Sequence, residues 1–189
     1  MTAAQARPTG ESEYLDEGWL RGPDGMRTRH AARVLLMDSG GRTLLVRGHD
    51  GDEPTRSWWF TVGGGIDAGE TPRQAAVREV REETGIVLSP DQLEGPVLTR
   101  SAIFDFAREH CLQHEEFFLA RVSPQENELT RAGWTELEVS FIDEMAWMSP
   151  AQLRAAPQEV FPHSLPDLLD ELAHGWDGVV RVIGVERDD

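Results

Sequence analysis

At 189 residues and 21.1 kDa the chain has the length of one ordinary domain and is too short for two comfortable ones. Asp and Glu number 34 against 18 basic residues, giving a formal charge of -16 and a pI near 4.7, a field that repels long polyanions and argues against DNA or bulk RNA as a primary partner. Every basic residue is Arg and none is Lys, so a lysine Schiff base and a P-loop lysine are excluded.

A hydrophobic share of 39% with 28% charged residues fits a soluble globular protein. The longest apolar runs, such as Val34-Leu35-Leu36-Met37, fall far short of the roughly 18 residues that span a bilayer, so no membrane partner is expected. The N-terminus shows no apolar run of the secretory type. The lone Cys111 cannot form an internal disulfide and reads as an inert packed thiol. Together these features give a cytoplasmic expectation.

Residues 1–27 carry scattered glycines and charges without a sustained period and read as an irregular or partly helical extension. The core begins after it. The runs AARVLLM and TLLVR flank Asp38-Ser39-Gly40-Gly41, a hairpin signal. HDGDEPTRS is a polar loop, with His49 exposed on it. Trp58-Trp59-Phe60 favours a short strand, and Gly63-Gly64-Gly65 reads as a loop. Thr71 at a cap, Pro72 at the first helical position, Gln74 closing a capping box and Gly85 as a left-handed terminator predict a helix from Pro72 to Thr84. VLTRSAIFDF and EEFFLARV follow as strands, and VSFIDEMAWM is a weaker strand candidate. Two more helices are expected, from Pro150 to Ala156 and from Leu165 to His174. The tail, residues 176–189, supplies a further edge strand. Strands around one central helix, with more helix at the end, suggest a mixed sheet packed between helices.

The chemistry concentrates in Gly63 to Ile86. On a helix from Pro72, residues Glu79, Glu82 and Glu83 stand at i, i+3 and i+4, so three carboxylates share one face with Cβ atoms about 5–6 Å apart. Unit charges 4 Å apart interact by about 4 kcal/mol at an effective dielectric near 20, so acids this close, if shielded from water, require a cation or raised pKa values. Oxygen-only ligands select a hard ion, Mg2+ or Mn2+. A solvated acidic face is the bland alternative. Ala75, Ala76, Val77 and Val80 argue against it by giving the helix a face to bury. The glycine run ahead of the helix has backbone able to approach a phosphate or lend a carbonyl to a metal.

Gly64, Glu70, Arg78, Glu79, Val80, Glu82, Glu83, Gly85 and Ile86 fill the signature of the Nudix hydrolases, which this chain resembles from about residue 29 to residue 174. Seven of those positions demand one residue each, and at about 7% apiece a chance match at a given start is roughly 10⁻⁸. The resemblance implies an α/β fold, the Nudix-like α/β/α sandwich with a mixed β-sheet. The domain is expected over residues 28–175, with residues 1–27 and 176–189 outside it. It also implies Mg2+- or Mn2+-dependent hydrolysis of the diphosphate linkage in a small nucleotide, by water attack at phosphorus. A homodimer is common among relatives. A Nudix-fold sensor that binds a nucleotide without cleaving it is the alternative from another class.

Carried over by position, Glu79 and Glu83 look like direct metal ligands, and Glu82 like a direct or water-mediated one. The carbonyl of Gly63 or Gly64 joins them. Arg78 and Glu70 resemble the pair that braces the glycine segment against the helix. Val62 stands where many relatives carry proline, and Asp67 where many carry glutamate. The general base varies in the family; the candidates here are Glu115, Glu116, Glu136 and Glu138, of which Glu116 and Glu138 are carried forward as catalytic. On a strand Glu115 and Glu116 face opposite sides, so at most one points at the metal.

Other residues are weighed for binding. Trp59 reads as core and Trp58, on the other face, as lining an entrance. Phe104 and Phe106 are candidates for a nucleobase pocket. Arg100 and Arg108 are candidates for holding a terminal phosphate, against a surface ion pair as the plainer option. His110, Cys111 and His114 lack a four-ligand zinc spacing. Ser101, where ADP-ribose hydrolases tend to carry proline, and the absence of any tyrosine but Tyr14 favour triphosphates or other diphosphates.

Overall fold

The computed structural model describes residues 18–22, 25–51, 53–106, 109–124 and 127–188. Among these, nine strands join one sheet: β1 (Leu20–Arg21), β2 (Arg27–Met37), β3 (Thr43–His49), β4 (Ser57–Gly65), β5 (Glu94–Phe106), β6 (Glu109–Arg121), β7 (Ile142–Met148), β8 (Glu159–Phe161) and β9 (Arg181–Arg187). The main path runs β7-β3-β4-β2-β6-β5-β9, with β1 on β2 and β8 on β4. The β2/β6, β4/β8 and β5/β9 pairs are parallel and the others antiparallel, so the sheet is mixed. Four helices accompany it: α1 (Pro72–Thr84), α2 (Glu136–Phe141), α3 (Pro150–Ala155) and α4 (Leu165–Leu172). No helix among the described residues is long and apolar enough to cross a membrane.

Period-two alternation along β2 and β6 sends successive side chains to opposite faces. Val34, Leu36, Val62 and Phe118 pack with Ala75, Ala76, Val80 and Ile86 beneath α1. Leu35, Met37, Trp59, Phe117 and Leu119 pack on the other face with Leu153 of α3 and Leu165, Leu168, Leu169 and Leu172 of α4. The sheet is thus sandwiched between α1 and the α3/α4 pair. Each buried Val or Leu stabilises by about 1.5–3 kcal/mol, which is what fixes α1 on its face.

Local signals explain most boundaries. At the β2/β3 hairpin Asp38 Oδ1 accepts from the backbone N–H of Gly40 and Arg42, both at 2.9 Å. At the head of α1, Thr71 and Gln74 form the capping box, and Gly85 closes the helix at φ 79°. Three expectations need correction. Gly63-Gly64-Gly65 is not a loop but the end of β4, paired with Arg33, Ala32 and Ala31; without side chains it meets no obstacle to strand pairing there. VSFIDEMAWM is not one strand: Thr135 and Glu138 form a capping box that starts α2, and the strand begins only at Ile142. His49 ends β3 partly shielded, its Nδ1 2.9 Å from Asp143 Oδ1.

Candidate active site

Helix α1 lies across β4 so that its carboxylates meet the glycine run. Gly63 N–H donates to Glu83 Oε2 at 2.8 Å. Beside it, a Cβ placed on Gly64 would stand 2.7 Å from the Glu79 carboxyl, so only glycine leaves room for that group. Gly63 itself has φ 131° and would drive a Cβ to 2.2 Å from the Ala32 carbonyl oxygen. Two consecutive glycines therefore form a cradle that two acids of one helix fill.

Glu83 is buried and Glu79 is partly buried, with 12% of its side chain exposed, and this sets their charge. Burial pushes Glu83 up to about 8, with the neighbouring Glu79 adding to the rise and the Gly63 N–H opposing it. Glu79 is also raised, by burial first, against the pull of Arg78. Two carboxylates withdrawn from most of the solvent and repelling each other, a glycine backbone beside them and room that a Cβ would fill make a donor set suited to a hard divalent cation. Arg78 supplies part of the counter-charge. Its Nε and Nη2 donate to the two oxygens of Glu70 (2.9 and 3.0 Å), its Nη1 reaches Glu79 at 2.8 Å and Glu82 at 3.1 Å, and Nη2 also donates to the Gly65 carbonyl at 2.9 Å. The hydrogen bonds from Arg78 hold Glu70 below the usual carboxylate range. The Glu70–Arg78 pair thus ties the segment after β4 to α1.

Glu82 is half exposed and turned to Arg78. Among the described residues no three His, Cys, Asp or Glu side chains stand together as a metal cage. The site has two inward acids and a third at its rim.

The other expected residues divide by sheet face. Gly64, Ala32 and Glu116 lie in one row across β4, β2 and β6. Glu116, two residues before Phe118, shares the α1 face and lines a groove of about 410 Å³ with His30, Ile66 and Pro72. Glu115 points the other way and is buried between Arg33 and Arg100 at 2.9 and 2.6 Å. Burial alone would raise it, but these two guanidinium groups hold it below its ordinary range. Glu138 lies near enough to raise Glu83 further, while its Oε2 caps α2 through Thr135. Glu136 is exposed in the first turn of α2.

Trp59 is buried against α4, whereas Trp58, half-buried under Arg56, lies six residues along β4 from Gly64, about 20 Å at 3.3 Å per residue. Phe104 packs edge-on against Trp19, and its register with Cys111 puts it on the face opposite α1. Arg100 is neither a free phosphate hand nor a surface pair: it is 4% exposed and holds Glu115, Glu186 and Asp188. Arg108 and the side chain of Phe106 lie outside the described residues. His114 bonds Ser101 at 2.8 Å and stacks on His30, and Cys111 is buried.

Two residues escaped the sequence reading. Trp134 donates from Nε1 to the Glu83 carbonyl at 2.7 Å, satisfying a helix-end acceptor; nothing local announced it. Arg33 donates from Nη1 to the carbonyls of Thr61 and Gly63, bracing the cradle from the opposite face. A charged residue inside the apolar run AARVLLM was its signal.

Known proteins resemble the chain at the level of family and fold. The family model described as NUDIX domain matches residues 27–168. An uncharacterized Nudix hydrolase, YvcI of Bacillus subtilis, is 46% identical over 60 residues, which cover 32% of this chain and 35% of that protein. The chain thus spans about a third of the length of that relative. An RNA pyrophosphohydrolase of Erythrobacter litoralis is 27% identical over 146 residues, 69% of this chain and 81% of its own. The crystal structure of a MutT protein from Bacillus halodurans superposes with a TM-score of 0.54 at 18% identity, covering 84% of this chain and 89% of that one, and so speaks for the fold alone. With the family model spanning most of its length, the chain belongs to the Nudix hydrolase family.

Proposed function

We propose that the protein is a Mg2+-dependent pyrophosphohydrolase, with Mn2+ as a working substitute, that cleaves the phosphoanhydride link of a small nucleotide. The substrate class is a nucleoside triphosphate or a nucleoside diphosphate joined to another group. The observation that carries this reading is the convergence of two carboxylates, the buried Glu83 and the partly buried Glu79, on the backbone of Gly63 and Gly64. In a chain at -16, an anionic diphosphate has no reason to approach these acids unless a cation inverts the local potential.

When bound, the metal would neutralise phosphate charge and acidify an attacking water. Glu79 and Glu83 would hold it, with the Gly63 or Gly64 carbonyl as a further donor and Glu82 joining from the rim. Arg78 keeps Glu79 and Glu82 within reach of each other and, through Glu70, fixes the chain leaving β4. Glu138 is assigned as the base that takes the proton of the attacking water, because Trp134, bonded to the Glu83 carbonyl at 2.7 Å, brings the start of α2 beside the acids. Glu116 flanks the groove beside Ile66 and Pro72 and is assigned to substrate contact there. A cytoplasmic location and a homodimer remain part of this proposal; light scattering tests the latter.

The test is a product assay over nucleoside triphosphates, nucleotide sugars, ADP-ribose, dinucleoside polyphosphates and a 5′-triphosphorylated oligoribonucleotide, with Mg2+ or Mn2+. The last arm is included because the Erythrobacter litoralis relative carries the name RNA pyrophosphohydrolase. Metal-dependent release of pyrophosphate, phosphate or nucleoside monophosphate from a mononucleotide substrate supports the reading. The net charge predicts weaker turnover of the oligonucleotide. No turnover of any substrate with either metal overturns it.

A further inference from the structure

The family match ends at residue 168, yet strand β9 beyond it reaches the site through a buried chain of ion pairs. β9 runs parallel to β5, and the Asp188 N–H donates to the Ile103 carbonyl at 2.9 Å, fixing the end of the strand. From there Asp188 meets Arg100 with both oxygens (3.0 and 2.8 Å), and Glu186 meets the same guanidinium at 3.0 Å. Arg100 Nε donates to Glu115 Oε2 at 2.6 Å. The other oxygen of Glu115 accepts from Arg33 Nε at 2.9 Å, and Arg33 Nη1 donates to the Gly63 carbonyl. The Gly63 N–H is the donor on which Glu83 docks. Arg29 joins by donating to Gln113, whose amide donates to Glu115 at 2.6 Å.

Among the described residues of this line, Arg33 and Arg100 pair with Glu115, Glu186 and Asp188, and Arg29 joins through Gln113. Removing one buried partner leaves an uncompensated charge that must find a new neighbour. If the two β9 acids are lost, Arg100 has only Glu115 to pair with among these carboxylates, and Glu115 is the group that aims Arg33 at Gly63.

We propose that Glu186 and Asp188 are positioning residues of the active site: through Arg100, Glu115 and Arg33 they hold the Gly63 peptide in the orientation that receives Glu83. The C-terminal strand is then part of the catalytic apparatus and not a mere edge to the sheet. This rests on the reading of Glu79 and Glu83 as metal ligands.

The experiment compares the full chain with D188N, E186Q/D188N and D188E, measuring Mn2+ affinity by electron paramagnetic resonance, kcat and KM on the best substrate of the panel, and thermal melting. Partners bonded directly to a metal ligand change metal affinity by about 10–100-fold, and Asp188, which acts through Arg100, Glu115 and Arg33, is set at the low end of that range. The expected result is a Mn2+ affinity about tenfold weaker in D188N and more in the double variant, a fall in kcat with KM unchanged, and recovery in D188E. D188N keeps one acceptor oxygen and serves where the double variant fails to fold. Folded variants that bind Mn2+ as tightly as the wild type, with only a lower melting temperature, overturn the proposal. Absence of Mn2+ binding in the wild type itself overturns the metal reading beneath it.

Discussion

The Gly63 N–H and the Glu83 carboxylate, 2.8 Å apart, join the strand that ends in glycine to the helix that carries the acids. This bond, together with the charge of Arg33, favours the ionised form of a side chain that burial and Glu79 push toward its neutral form. The acid is held in place by the peptide and kept costly by burial, an arrangement whose tension a cation would relieve.

Substitution of that acid separates stability from function. In E83Q the shape persists while the buried charge and its repulsion with Glu79 disappear. The metal-free variant is expected to melt at the same temperature as the wild type or higher at pH 8. Its turnover is expected to fall by at least about 100-fold, in the range seen when a single preorganised electrostatic group is lost. Calorimetry and the product assay together check both halves. Retained activity would remove Glu83 from the mechanism.

The pH dependence follows from the same group. Its folded value of about 8 lies above the ordinary 4.5, so the native metal-free protein holds a proton that the unfolded chain releases. The corresponding stability is fully present below about pH 4.5 and is lost as pH rises through 8. Metal binding has the opposite slope, because the ligand must be deprotonated: affinity is expected to fall about tenfold per pH unit below 8. Isothermal titration of Mg2+ in buffers of different ionisation enthalpy reads the released proton directly.

The two glycines of the cradle predict different failures. G64A puts a methyl against the Glu79 carboxyl, so Glu79 must swing away while the strand remains paired; metal affinity is expected to drop with little change in melting. G63A meets the Ala32 backbone and a left-handed φ, which a side chain adopts at a cost of about 1–3 kcal/mol. Its primary effect is expected to be a lower melting temperature.

Arg78 is predicted to resist conservative exchange. A lysine keeps the charge but not the planar fork that spans Glu70, Glu79 and Glu82. R78K is expected to lose about 10–100-fold in metal affinity, the range for groups that orient ligands. Equal affinity in R78K and wild type would show that charge alone suffices.

The capped helix α1 was legible because its punctuation is local: Thr71, Pro72, Gln74 and Gly85 each act within one turn. The spacing of Glu79 and Glu83 was legible for the same reason. Their partners were not, because the contact of Gly64 with Glu79 spans 15 residues and depends on how α1 lies on β4. Strand end and loop look alike in a glycine run, so Gly63 to Gly65 read as a loop. The Arg33–Glu115–Arg100 line runs across three strands to the C-terminus, and only the pairing register of β2, β6 and β5 brings it together. Arg100 therefore read as a phosphate hand when its partners lay on β6 and at the end of the chain.

In this reading Glu79 and Glu83 hold a divalent ion over Gly63 and Gly64. Anomalous diffraction from a crystal soaked in Mn2+ tests it most directly. The expected peak lies within coordination distance of both carboxylates and vanishes in E83Q; a crystal of active protein with manganese bound elsewhere and this pair untouched would rule the site out.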